Sequence, residues 1–190
     1  MKNFGFLILG FAAISLLSCA KKEEFKLNAD NSSIVWKGDY IKDGNLDHSH
    51  EGELKFNSGS ITVSNGQIVG GEFELNMGSI KELNAPWGEE QAAKLEGHLL
   101  SEDYFHVEKF PTAKVVLTGS NGKNVQGTLT VRGVDMPFDV PMTLTTNESG
   151  ATISGSFELD FSAFKMAGIG GEGEFVSPTI KINVNTEFKK

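Results

Sequence analysis

Residues 151–161 read ATISGSFELDF, so that Ala151, Ile153, Gly155, Phe157, Leu159 and Phe161 alternate with Thr152, Ser154, Ser156, Glu158 and Asp160. Side chains on a strand point alternately to its two faces, and strict alternation describes a strand with one apolar and one wetted face. The same period runs through Phe73, Leu75 and Met77, through Val115 and Leu117, and through Val125, Leu129 and Val131. It returns in Phe138, Val140, Met142 and Leu144, and closes the chain in Ile180, Ile182, Val184, Thr186 and Phe188. A run of about eight such strands, antiparallel by its short turns, must hide its apolar face by closing on itself or pairing with a second sheet. Closure is the expectation, because a barrel of about eight strands leaves no edge and holds a small ligand in its bore.

The turns support that plan. Asn65-Gly66 and Asn121-Gly122 are tight-hairpin signals. An opening strand is expected over 25–41, with Ile34 and Trp36 on one face, followed by a strand over 46–56, a turn at 57–59 and a short strand carrying Ile61 and Val63. Pro137 and Pro141 cannot donate to a ladder, which puts their strand at an edge or a bulge.

One stretch breaks the period. Over 86–100, Ala92, Leu95 and Leu99 recur at helical spacing, with Glu89 and Glu90 in the first turn. The helix would turn Ala92, Leu95 and Leu99 to the barrel and Glu89, Lys94 and Glu96 to water. Tyr104, Phe105, Val107 and Phe110 crowd before Pro111 in a short helical turn. Together these form a lid over one mouth, with Trp87, Leu95, Leu99, Tyr104, Phe105 and Phe110 as its apolar contacts, and the segment 86–110 is expected to gate the bore.

The N-terminus has Lys2, an apolar run over 4–17 and then Leu16-Leu17-Ser18-Cys19, the pattern of a secretory signal and of a lipobox, in which the cysteine becomes the lipidated first residue. The expected organisation is a signal at 1–18, a tether at 19–24 and one barrel domain at 25–190. The tether's Lys22-Glu23-Glu24 is read as a solvated linker, although it also resembles a lipoprotein surface-export signal. Cys19 is the only cysteine, so an anchor there leaves no thiol for disulfides, metal or nucleophilic work. The 190 − 18 = 172 residues that remain suit a single core, and their charge is 16 − 25 = −9 once Lys2 is removed. With Arg132 the only arginine, nucleic acid is excluded as a partner. The expected location is the cell envelope, at the outer membrane, facing the periplasm or the cell surface.

HLLSEDYFHVEKFPTAKVVLT resembles the HL-x-S-x-DFF-x-x-x-K-[YF]-P-T-A signature of the YceI-like family, lipocalin-shaped polyisoprenoid-binding proteins of bacteria, and GTLTVRGVDMPFDVPM resembles its second motif. The resemblance spans about 25–188. It implies an all-β, eight-stranded antiparallel lipocalin-like barrel with one helix, whose apolar bore takes an isoprenoid, quinone-like or other long-chain lipid. Many members carry an Arg-Asp pair before the HL, where Glu96-Gly97 stands here, and an arginine in the strand matching ELDFSAF, so these charged partners for a polar head are missing.

The bore is assigned to Phe73, Leu75, Met77, Val115, Leu117, Leu129, Val131, Phe138, Val140, Met142, Ile153, Phe157, Leu159, Ile180, Ile182 and Val184. The first functional class is a non-enzymatic carrier with no cofactor, held to the membrane by its N-terminal lipid; assembly as a homodimer is left open. The second is a metal-dependent envelope enzyme using His98, Glu102 and His106, spaced four apart, which one continuous helix would bring together. The signature instead starts a new turn at 101–103, so a broken helix is expected, with His98 hydrogen-bonded locally. His48 and His50 are read as exposed polar residues beside Asp47 and Glu51. The glycine-rich 168–175 lacks a following helix or a lysine, which fits a barrel-mouth loop rather than a phosphate cradle.

Overall fold

Asn65 and Gly66 both take left-handed backbone, φ 52° and 73°, the type I′ hairpin geometry that matches strand twist. They join β3 (Asn45–Ser64) to β4 (Gln67–Glu82) in a structure, a computed structural model, that describes residues 21–84, 88–164 and 174–190. The remaining elements are β1 (Lys22–Leu27), β2 (Ser33–Lys42), α1 (Glu89–Leu100), β5 (Thr112–Ser120), β6 (Asn124–Val131), β7 (Val134–Pro141), β8 (Thr143–Thr146), β9 (Gly150–Asp160), β10 (Glu174–Val176) and β11 (Thr179–Lys189). The second turn has Gly122 at φ 84°, and the Asn121 side-chain oxygen accepts the Lys123 and Asn124 N–H groups. The leader with Cys19, Trp87 and 168–173 lie outside the described residues.

Every strand pairing is antiparallel, and the pairings run from β7 through β6, β5, β4, β3, β1 with β2, β11 and β9 to β8, a path whose two ends the chain itself joins at Met142. β1 and β2 are two halves of one place in the sheet, each lying between β11 and β3. β7 pairs β6 while β8, one residue further on, pairs β9, so these too share a place. The ring therefore has eight positions: β1 with β2, β3, β4, β5, β6, β7 with β8, β9 and β11. β10 adds to β2 beyond the end of β11.

Three local expectations need correction. The opening strand is interrupted by a 3-10 turn, Ala29–Asn31. There the Ser32 hydroxyl donates to the Asn28 carbonyl and accepts the Glu187 N–H. The expected turn at 57–59 is a bulge within one 20-residue strand: Phe56 faces Leu75, Ser58 faces Glu74, and the Asn57 amide donates to the Glu74 carboxylate at 2.9 Å. A bulge leaves its extra residue out of the ladder and bends the strand, and Asn57 is that residue here. Lys22, Glu23 and Glu24 are not a free tether, because they pair with Ser64, Val63 and Thr62. The edge placement of Pro137 and Pro141 holds, since β7 pairs with β6 alone.

At the β7–β8 bend the backbone comes down onto β9. A Cβ on Gly155 would lie 2.6 Å from the Pro141 carbonyl oxygen and 2.9 Å from the Met142 side chain, so only glycine allows this approach. Below the bend, Phe25, Ile61, Ile68, Val125 and Phe188 pack into a solid cluster that stops one end of the barrel. Burial of each large side chain there contributes about 1.5–3 kcal/mol as an upper figure.

Candidate functional site

The other half of the interior is not filled. The strands and α1 surround a cavity of about 210 Å³. A single water needs only about 10–15 Å³, so this is a chamber rather than a packing defect. All the bore residues inferred from the alternation lie on its wall except Val140. Val140 is buried opposite Val125 in the stopped end, below the chamber floor. Ile34, Trp36, Leu54, Phe56, Ile80, Ala113, Phe161 and Val176 add to the aliphatic and aromatic lining.

Gly155 does not face open space, contrary to the alternation, because Met142 covers it. Gly38 does. It lies on the wall, and a Cβ there would meet only the Ile180 side chain, at an ordinary 3.5 Å.

The polar groups on the wall are few. Thr186 is satisfied within it, donating to the Ile153 carbonyl at 3.0 Å. Asp39, Tyr40 and His50 lie together at the β2–β3 end, where Gly38 pairs with His50 and Tyr40 with His48. The Asp39 carboxylate accepts the Ser49 hydroxyl at 2.6 Å, and the Tyr40 and His48 rings stack with centroids 4.6 Å apart. His50, expected to be exposed, instead faces the cavity, with its Nδ1 2.5 Å from Oε1 of Glu82.

Glu82, whose side chain is 2% exposed, was not foreseen. Its position follows from a bulge in β4. Asn76 pairs with Lys55 but Lys81 pairs with Glu53, and Ser79 fills the gap by donating to the Asn76 carbonyl and accepting the Lys55 N–H. That bulge moves the inward positions from Phe73, Leu75 and Met77 to Ile80 and Glu82. Among the described residues, no lysine or arginine is on the wall.

The lid residues Leu95, Leu99, Tyr104 and Phe105 lie on the wall. Phe110 does not: its ring packs against His106 and under the Lys109 ammonium. Two polar ties hold the lid. Glu96, expected in water, accepts the Glu82 N–H at 2.9 Å, and Arg132 in the β6–β7 turn donates from Nη1 to the Tyr104 carbonyl at 2.5 Å. Burial pushes the Tyr104 phenol above its ordinary pKa of 10.0.

The metal alternative finds no assembled ligand set. α1 ends at Leu100, Ser101 is extended, and His106 lies in a separate turn at φ 48°. Among the described residues, no three His, Cys, Asp or Glu side chains converge as a metal ion would require. His98 Nε2 is buried with no hydrogen-bond partner among them, where a local bond was expected.

With this geometry established, known proteins supply a comparison. No curated protein matches the chain. The BcnA protein of Burkholderia cenocepacia superposes with a TM-score of 0.64 at 20% identity, covering 85% of this chain and 98% of that one. A polyisoprenoid binding domain from Saccharophagus degradans, implicated in plant cell wall breakdown, superposes with a TM-score of 0.59 at 11% identity, covering 87% and 97%. At these identities the two share the fold with this chain. Residues 25–188, nearly all of the described ring, match the YceI-like domain, and the chain belongs to that family.

Proposed function

We propose that this protein is a non-enzymatic carrier for an isoprenoid or a similar long-chain amphiphile. The observation that carries the reading is the chamber itself: about 210 Å³, walled by aliphatic and phenylalanine side chains, stopped at one end and polar only at a few points. Apolar walls with few polar groups are what a long hydrocarbon chain needs, since burial of its methylenes is the main favourable term. The polyisoprenoid binding attributed to the Saccharophagus degradans domain supports the same ligand class. The carrier works in the bacterial cell envelope, tethered through a lipidated Cys19, with its mouth beside the membrane that supplies the ligand.

Gentle purification from a native host followed by native mass spectrometry tests the reading. The expected result is a mass increment that organic extraction removes and that analyses as a lipid with a long unbranched or isoprenoid chain. A chain that arrives without lipid, and takes up none from liposomes, rejects it.

A further inference from the structure

We propose that lipid enters and leaves the chamber sideways, through an unpaired seam between β7 and β9, rather than through the gate expected at 86–110. This rests on the chamber being the lipid site and assigns its door.

Below the bend at Met142 the ring is laced, because β8 pairs with 151–154 of β9. Above the bend β7 pairs with β6 alone, and β9 from Gly155 onward pairs with β11 alone, so the facing edges of β7 and β9 share no ladder. Residues 156–160 of β9 border this seam, about 16 Å of strand at about 3.3 Å per residue. Its lower end is pinned where the Pro141 carbonyl and Met142 lie against Gly155. Its upper end is bounded by the 3-10 turn Phe161–Phe164, which lies beside β7 and buries Phe164.

The residues along the seam oppose its closure. Continued in the register of Thr143 with Ser154, β7 would set Pro141 opposite Ser156, Asp139 opposite Glu158 and Pro137 opposite Asp160. Proline donates nothing to a ladder, and like charges placed opposite one another destabilise a strand pair. The two acids are instead drawn apart. Asp139 accepts from the Asn124 and Gln126 amides on β6, at 2.7 and 3.0 Å, while Glu158 lies 4.0 Å from the Lys181 ammonium on β11.

Among the described residues, the wall along the seam consists of side chains: Phe138 of β7, with Phe157 and Leu159 of β9, all half-buried. Side chains change rotamer far faster than strands part. The lid is held more firmly, because Glu96 occupies the Glu82 N–H and Arg132 the Tyr104 carbonyl, and hydrogen bonds with a charged partner are the stronger kind. Raising the lid breaks both ties, whereas parting β7 from β9 breaks no ladder bond.

The test measures exchange of a fluorescent conjugated-polyene long-chain alcohol between phosphatidylcholine vesicles and the full chain. In a Cys19→Ser background, one cysteine pair spans the seam (Asp139→Cys with Glu158→Cys) and another ties the lid to the ring (Asp103→Cys with Arg132→Cys). Each is closed with a short bis-maleimide, the link checked by mass and the fold by circular dichroism. The seam link should slow uptake and release together by about fivefold or more while equilibrium binding stays within about twofold, since a door sets rates and not affinity. The lid link should leave both rates within about twofold. Asp139→Lys, which sets opposite charges across the seam without any linker, should slow exchange by about twofold in low salt and lose its effect in high salt. Slowing by the lid link that equals or exceeds slowing by the seam link overturns the inference and leaves the carrier reading standing. So does exchange unchanged by both the seam link and Asp139→Lys. If the unlinked chain takes up no probe, the carrier reading fails and takes this inference with it.

Discussion

Two glycines on inward positions separate an open chamber from a packed core. Gly38→Leu places its side chain in the chamber with no backbone in the way. It should cut lipid retention several-fold while changing stability by less than about 1 kcal/mol, read by denaturant unfolding. Gly155→Leu drives the new side chain onto the Pro141 carbonyl and should cost about 1–3 kcal/mol or more. Equal losses in the two would mean that no chamber exists. Tyr104 gives a second residue-scale expectation. Its folded pKa is raised, so the folded state holds the phenolic proton more tightly than the unfolded chain does. The associated stability is whole below the unfolded value near 10 and is lost as pH rises through the folded value. Thermal melts between neutral and strongly alkaline pH should show this decline, and Tyr104→Phe should flatten it.

Among the elements, the lid is bound to the ring by Arg132 at one end and Glu96 at the other. Arg132→Ala should cost about 1–3 kcal/mol and, more tellingly, speed amide exchange over 101–110 while leaving β5 and β6 protected. Uniform acceleration would make the tie a general brace rather than a hinge pin. How much of this was legible turns on where the period holds. From β5 onward the alternation assigns nearly every wall residue, because one buried face enforces period two and a slip would turn every side chain outward. The start of the chain is less readable because bulges interrupt it: the unpaired Asn57 looks like a turn, and the bulge beside Ser79 shifts the inward parity so that Glu82 reads as a solvent residue. The inward course of β2 past Trp36 was open to inspection, since Gly38 and Tyr40 continue it, and register then sets His50 opposite Gly38. Nothing in the local pattern marks a histidine whose partner lies 32 residues away.

For the molecule as a whole, Cys19→Ala in a native host should release the protein from the membrane fraction or leave its leader uncut; wild-type fractionation and migration would reject lipid anchoring. The way the ring is joined has a consequence of another kind. Lys26 lies opposite Lys189 and Leu27 opposite Phe188, so the first strand of the domain borders the last, and β2 and β9 also wait for that last strand. During synthesis the earlier hairpins can form in turn, but the circle stays open, with its apolar face uncovered, until the final residues emerge. Contacts between chain ends are slow to make and leave intermediates prone to aggregate. The chamber thus comes into being at the end of folding, and a chain cut before Thr179–Lys189 would have strands and hairpins but no enclosed space in which to keep a ligand.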